Sequence, residues 1–171
     1  MTKENIITPF FNSQFINKNK KDFIIENYDS FTEIFLDFKE FFDETIDNYP
    51  QEHYLASYHE IDQCDAMQFK KIFQSFFFVW NIDLKEIYNN NKNYIYYLVS
   101  VDTETIFKCF EDFNNFFEST INCDKNQHHF AIVYNCEELE AIKYKKVFDS
   151  ILDNNGFEMD DFIKVKNDFS T

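Results

Sequence analysis

The sequence predicts an α/β fold, a single domain with a mostly parallel sheet of four or five strands flanked by helices. Short runs of β-branched and aromatic residues alternate with longer amphipathic segments, and strands separated by single helices are typical of parallel crossovers. The 171 residues are 44% apolar and include 24 Phe and 10 Tyr, which is ample for one core. The elements are regularly spaced, but no residue-level repeat is evident.

The chain opens with a polar stretch. Residues 1–21 are polar with scattered Phe10, Phe11 and Phe15, so we expect a partly ordered N-terminal arm. One acidic α/β domain is then predicted over residues 22–171. Its first element is a short strand at 22–26, where apolar residues are concentrated.

The first long helix is predicted over residues 31–46. Ser30 and Glu33 have the spacing of a capping box at its start, and Pro50 follows its end. Its apolar residues recur at helical intervals and therefore lie on one stripe. The stripe consists of Phe31, Ile34, Phe35, Phe38, Phe41, Phe42 and Ile46.

The middle of the chain is predicted to contain a second strand at 53–59 and a helix at 65–80. The apolar run from Phe76 to Trp80 is ambiguous, because a short apolar run suits a buried strand as well as a helix. Both interpretations remain open for this run.

The C-terminal half continues the alternation. Helices are predicted at 103–120 and 136–155, the second with Asn135 and Glu138 as a capping-box candidate and Gly156 as its left-handed stop. The remaining strands, rich in β-branched and aromatic residues, are predicted at 94–101, 129–134 and 162–165.

The charge of the chain limits its partners. A formal charge of −15 with a pI near 4.5 repels nucleic acids and anionic membranes but attracts basic proteins. All 16 basic residues are Lys, so no Arg can bind phosphate through a guanidinium fork, and the single glycine, Gly156, excludes a glycine-rich phosphate loop. We therefore expect no nucleotide cofactor and no direct contact with nucleic acid.

The cysteines and the apolar runs bear on the compartment. Cys64, Cys109, Cys123 and Cys136 show no close-spaced pairing, and the N-terminus lacks the pattern of a signal peptide. No apolar run approaches the roughly 20 residues that a membrane-spanning helix needs. These observations predict free thiols and a cytoplasmic protein.

The polar side of the first long helix is the most informative feature. Acidic residues recur on it at helical spacing and form what we call the acidic column: Asp29, Glu33, Asp37, Glu40, Asp43, Glu44 and Asp47. Like charges three or four residues apart destabilise a helix by about 0.2–0.5 kcal/mol per pair. The column is thus either the ordinary acidic surface of an acidic protein or a docking face for a basic partner.

Catalytic sites were sought among the carboxylates and the cysteines. The sequence Asp102-Thr-Glu104-Thr105 resembles the first metal motif of proofreading-type exonucleases, which implies that Asp102 and Glu104 hold Mg²⁺. The simpler role of Asp102 is a helix N-cap, with Glu104 in the first turn. Cys136 precedes a helix but is surrounded by acids, so a half-buried structural thiol is preferred over a nucleophile.

Histidines give no recognised site. His53, His59 and Cys64 match no zinc spacing, and His128 and His129 are expected on opposite faces of a strand. We accordingly predict no metal and no catalytic residue.

The sequence is best interpreted as a non-enzymatic inhibitor or immunity-type protein. It would occlude a basic, nucleic-acid-processing protein, such as a nuclease, by presenting the acidic column in place of phosphates. Two alternatives remain: a metal-dependent hydrolase or nuclease that uses Asp102 and Glu104, and a non-catalytic subunit of a larger assembly.

Overall fold

The structure is a computed structural model that describes residues 18–48, 52–89, 103–122 and 128–163. These residues are 83% helical and include no strand, so the fold is all-α and the predicted α/β sheet is wrong. The helices are α1 (Lys18–Glu26), α2 (Tyr28–Phe42), α3 (Tyr54–Tyr58), α4 (Gln63–Val79), α5 (Leu84–Asn89), α6 (Thr103–Asn122), α7 (His129–Val133) and α8 (Glu138–Asn154). A π-helical turn, Asp43–Asp47, continues α2, and residues 159–163 are helical.

The predicted strands that the structure describes are helical. Residues 22–26 belong to α1, 53–59 contain α3, and 129–134 contain α7. Residues 162 and 163 are helical, whereas 164–165 and the strand predicted at 94–101 lie outside the described residues. A short apolar run has too few residues to distinguish the two periods, so packing against neighbouring helices decides its conformation.

The four long predicted helices are present as α2, α4, α6 and α8. The run from Phe76 to Val79 is the last turn of α4, and Trp80 ends that helix. Their apolar stripes are buried as the helical spacing indicates, and they form one aromatic-rich core. Gly156 follows α8 with φ of +81°, the left-handed conformation that glycine adopts without strain.

The helix starts differ from the predicted ones. Of the predicted N-terminal arm at 1–21, residues 1–17 lie outside the described residues and 18–21 belong to α1. Helix α2 begins at Tyr28, which places Ser30 inside the helix. The helix predicted at 136–155 does begin with a capping box, but it is formed by Glu137 with Glu140, two residues after the predicted pair. A further capping box, Asp62 with Asp65, begins α4.

A tandem duplication organises the fold. Residues 28–88, which we call unit 1, align without a gap to residues 103–163, unit 2, at an offset of 75 positions. Identical pairs lie mostly on the core faces of the helices: Phe35 and Phe110, Phe38 and Phe113, Phe41 and Phe116, Phe42 and Phe117, Thr45 and Thr120, Phe73 and Phe148. The chain therefore contains the repeat that the sequence analysis missed.

Local geometry repeats along with the residues. The residues after α3 and α7, Glu60 and Asn135, have φ of 58° and 54°, and Asn81 occupies the position of Gly156 with φ of 57°. Both capping boxes also fall at equivalent positions, at the starts of α4 and α8. Each unit is thus a long helix, a short helix, a second long helix and a short helical segment.

Two hydrogen bonds between the units have an equivalent in the opposite direction. Asn155 Nδ2 donates to Asp37 Oδ2 at 2.9 Å, and at the equivalent positions Trp80 Nε1 donates to Asp112 Oδ2 at 2.7 Å. The His59–Ser150 hydrogen bond of 3.2 Å likewise corresponds to the Tyr134–Ser75 hydrogen bond of 2.6 Å. Reciprocal contacts of this kind relate two units by a twofold axis.

Aromatic rings join the units in the core. Phe69 stacks on its equivalent, Tyr144, with centroids 4.7 Å apart and an interplanar angle of 3°. Phe38 of unit 1 contacts Phe148 of unit 2 at 5.2 Å, and Phe113 contacts Phe73 at 5.6 Å in the reciprocal pair. Each such pair adds about 0.5–1.5 kcal/mol beyond its buried area, so the two units share one core.

Among the described residues, none of the helices is both long enough and apolar enough to cross a membrane.

Candidate functional site

The acidic column runs along α2 and the π-helical turn that follows it, as the sequence predicts. Asp29, Glu33, Glu40 and Asp47 are exposed, whereas Asp37, Asp43 and Glu44 are partly buried. The helix presents these side chains because the opposite stripe, from Phe31 to Phe42, is held in the core. The column therefore faces solvent, but its members differ in how far they are available to a partner.

Two carboxylates of the column have contacts within the chain. Asp37 accepts the hydrogen bond from Asn155, which links α2 to the end of α8. Asp43 pairs with Lys39, with Nζ and Oδ2 2.6 Å apart, at the exposed i,i+4 spacing. An exposed pair of this kind contributes only about 0.3–0.5 kcal/mol to stability, and its one ammonium group stands against seven acids in the column.

Glu40 and Glu44 meet His53 at the end of the column. Carboxylate oxygens of both Glu residues and a ring nitrogen of His53 all lie within 4.8 Å of one another. The pKa of Glu40 lies above its ordinary value, first because of a hydrogen bond with the Glu44 carboxyl group and then because of burial. We call these three residues the Glu–Glu–His cluster.

His53 is fixed by the start of α3. Its Nδ1 accepts the backbone N–H of Leu55 at 3.1 Å, so the imidazole is the N-cap of this short helix. Its own backbone N–H donates to the buried Thr45 hydroxyl at 3.4 Å. The ring is 8% exposed, and burial lowers its pKa, so the imidazole is neutral near pH 7.

The cluster does not provide a metal-ligand set as it stands. A metal needs a lone pair on a ring nitrogen, but Nδ1 of His53 already accepts a hydrogen bond and Nε2 carries the proton of the neutral ring. Binding an ion would therefore end the cap of α3. His128 caps α7 in the same way, because its Nδ1 accepts the backbone N–H of Phe130 at 3.1 Å. The histidine cap therefore belongs to the duplicated fold.

The proposed nuclease pair is only partly described. Asp102 lies outside the described residues. Glu104 is in the first turn of α6, where Nζ of Lys20 lies 3.8 Å and Nζ of Lys108 3.9 Å from its carboxylate. Two ammonium groups thus compensate the carboxylate that the metal interpretation requires.

Cys109 and Cys136 are not activated as nucleophiles. Cys136 is 2% exposed, which is more buried than predicted, and burial together with Glu140 and other acids raises its pKa to about 12. Cys109 is buried in the core, as expected, and burial raises its pKa as well.

His128 and His129 lie at the start of a helix and not on opposite faces of a strand.

His53 is the residue that sequence reasoning misplaced. It was considered with His59 and Cys64, whereas the structure places it against Glu40 and Glu44. No spacing rule connects it to the acidic column, because the turn between α2 and α3 determines its position. The only sequence signal is its place just before a short helix, where it is an N-cap.

Unit 2 shows which features of the site the fold requires. Its equivalents of Glu33, Glu40, Glu44 and Asp47 are Lys108, Asn115, Ser119 and Asn122. Asp37, which bonds across the units, remains acidic as Asp112. The same fold therefore forms with most of the column replaced by neutral or basic residues.

Comparison of the chain with models of protein families, with curated proteins and with solved structures finds no match.

Proposed function

We propose that the protein is a non-catalytic inhibitor or immunity-type protein that binds a basic, nucleic-acid-processing partner through the acidic column of α2. The observation that carries this proposal is the difference between the two units. Unit 2 reaches the same fold with Lys108, Asn115 and Ser119 where unit 1 has Glu33, Glu40 and Glu44. The duplicated fold therefore does not require Glu33, Glu40, Glu44 and Asp47, whereas the other three acids of the column correspond to acids in unit 2.

Electrostatics supports a basic partner. Like charges at i,i+4 oppose helix formation by about 0.2–0.5 kcal/mol per pair, so the column works against the helix that carries it. The same charges steer a basic protein and favour its docking, and they repel nucleic acid. A row of carboxylates on one helix can occupy the surface that a nuclease uses for phosphates.

A reducing, cytoplasmic location fits the proposal. No disulfide links Cys64, Cys109 and Cys136, the cysteines that the structure describes. An inhibitor of an intracellular nuclease would act in that compartment.

The test is capture of the partner from the lysate of the source cell over a salt series. Tagged wild-type protein is compared with the variant Glu33→Lys with Asp47→Lys, which changes exposed members of the column outside the Glu–Glu–His cluster. The control, Glu118→Lys with Asp153→Lys, makes the same charge change at exposed positions of unit 2. We expect a basic nucleic-acid-processing protein that is lost with rising salt and with the column variant, but retained by the control.

Equal loss in both variants would show that net charge, and not the column, attracts the partner. Capture of acidic partners that salt does not affect would contradict the proposal.

A second candidate, a non-catalytic subunit of a larger assembly, is favoured by an exposed apolar pair. Phe78 is 81% and Val79 57% exposed at the end of α4, where unit 2 has the polar residues Asp153 and Asn154. Isolated exposed apolar residues are common, but a difference between duplicated units suggests use. Light scattering of the purified protein and its capture from the lysate test this candidate. A second copy or a captured partner that is lost in the Phe78→Asp variant supports the assembly. A monomeric protein whose captured partners are unchanged by Phe78→Asp argues against it.

A further inference from the structure

The Glu–Glu–His cluster contains a buried carboxylate oxygen without a hydrogen-bond partner in the part of the chain that the structure describes, Oε2 of Glu44. The His53 side chain beside it is more than nine-tenths buried. Its Nδ1 accepts the backbone N–H of Leu55, and a ring nitrogen lies within 4.8 Å of the two carboxylates. A buried acceptor without a donor carries a free-energy cost that a suitable ligand would remove.

The chemistry of the cluster indicates what the ligand must supply. Glu40 and Glu44 offer only acceptors once both are ionised, and each carries a negative charge. The neutral His53 ring adds no positive charge, because burial lowers its pKa. Lys39, one turn away along the column, is paired with Asp43. The group that completes the cluster is therefore a cation with several N–H donors.

A guanidinium group fits this requirement better than an ammonium group. Its planar fork of donors can bind two carboxylates at once, and it tolerates partial desolvation. The exposed ring of Tyr54 lies beside the His53 ring, with centroids 4.5 Å apart and planes inclined by 30°. An exposed aromatic ring beside the histidine of the cluster favours stacking of a planar cation.

Unit 2 lacks the same arrangement. His128 is retained as a helix cap, but Asn115 and Ser119 replace the carboxylates, and Ser119 Oγ donates to the carbonyl of Asn115 in its own helix. The exposed His129 stands where unit 1 has Tyr54. The imidazole is thus explained by the fold, whereas the acidic pair and the tyrosine are specific to unit 1.

We propose that the Glu–Glu–His cluster, with Tyr54 beside it, is a receptor for an arginine side chain of the basic partner. This inference rests on the proposed function, because the arginine belongs to the protein that docks on the acidic column. It adds a single anchoring contact to a surface that otherwise acts through its field.

The experiment uses the full chain and a fluorescein-labelled hexa-arginine peptide, with binding followed by fluorescence anisotropy. The cluster variant is Glu40→Gln with Glu44→Gln. Its control, Glu118→Gln with Asp153→Asn, removes the same charge from exposed positions of unit 2. Circular dichroism of each variant checks the fold.

We expect the cluster variant to bind the peptide about tenfold more weakly than the wild type, because a buried charge-assisted contact is lost. The control should lose no more than about twofold, as a screened surface charge would. A hexa-lysine peptide should bind the wild type more weakly than hexa-arginine and should distinguish the two variants less. Equal losses in both variants, or no preference for arginine, would overturn the receptor.

A metal ion is the competing occupant, and the same assay tests it. The proposal is overturned, and a metal site identified, by two results together. Micromolar Zn²⁺ displaces the peptide from the wild type, and Zn²⁺ binding is lost in the Glu44→Gln variant.

A third variant separates this inference from the proposed function. Glu33→Gln with Asp47→Asn removes charge from the column outside the cluster. If only this variant loses peptide affinity, the column docks basic ligands and the arginine receptor is wrong. If only the cluster variant loses affinity, the receptor holds and docking along the whole column is wrong.

Discussion

Two equivalent threonines allow the cost of a buried hydroxyl to be measured within one chain. Thr45 and Thr120 are 0% and 1% exposed. Thr45 Oγ1 accepts the backbone N–H of His53 at 3.4 Å, whereas Thr120 Oγ1 is buried without a partner. Valine has nearly the same shape as threonine, so Thr45→Val and Thr120→Val remove the hydroxyl and leave the packing in place.

The expected effects have opposite signs. A buried hydroxyl without a hydrogen bond costs about 1–3 kcal/mol, so Thr120→Val should raise the free energy of unfolding by about 1 kcal/mol. Thr45→Val removes a bond with a net contribution of about 0.5–1.5 kcal/mol and leaves the N–H of His53 buried without an acceptor. It should lower the free energy of unfolding by about 1–2 kcal/mol.

Urea unfolding followed by far-ultraviolet circular dichroism measures both values, and an unchanged m-value shows that the unfolded states are comparable. In a chain of this length, about 1 kcal/mol corresponds to a shift in Tm of roughly 2–4 °C. The same change in both variants, or a less stable Thr120→Val, would refute the reasoning from the hydrogen bonds.

Three further predictions use conformation, charge and burial. Glu60 has φ of 58°, a left-handed conformation that glycine adopts without strain. Glu60→Gly should therefore raise the free energy of unfolding, measured with urea, by about 0.5 kcal/mol. A lower free energy of unfolding would mean that this conformation is not strained in Glu60. The folded-state pKa of Glu40 is raised, so its stabilising contribution is present below its unfolded pKa and is lost as pH rises. Glu40→Gln should thus stabilise the protein by a few tenths of a kcal/mol at pH 7 and not at pH 4, and an equal effect at both pH values would contradict this. Cys109 and Cys136, both buried with raised pKa, should react with a thiol reagent only on unfolding, and mass mapping of rapidly labelled native protein should find neither.

The long helices could be predicted because each supplies several turns of one period. The apolar stripe from Phe31 to Phe42 identifies α2, and its burial follows from the same spacing. The short elements could not be predicted in this way. The run at 129–134 contains the residues that favour strands, yet it is the short helix α7, because Ala131 packs in the core from a helical turn.

The duplication has a sequence signal that is easy to overlook. The segments Phe41 to Ile46 and Phe116 to Ile121 share Phe-Phe, an acidic residue, and Thr-Ile in the same order. Elsewhere identical pairs such as Phe73 and Phe148 are separated by positions that share only buried apolar character, such as Ile82 and Phe157. A comparison of the sequence with itself at a fixed offset would have revealed the duplication.

The acidic column could be predicted from spacing alone, because helical geometry places residues three and four apart on one face. The sequence could not reveal that Asp37 bonds to Asn155, or that Glu40 and Glu44 meet His53. These contacts depend on the packing of α2 against α8 and on the turn that leads to α3. Long-range geometry of this kind is absent from any local pattern.

The twofold relation of the two units has a consequence for how the chain can change. In a homodimer every substitution appears on both subunits, so a charge gained on one face is gained on its counterpart. Here the two copies are covalently joined, so one copy is free to acquire a binding surface while the other keeps the residues that suit the shared core. Joining them also makes their pairing independent of protein concentration, because each unit always has its counterpart within reach.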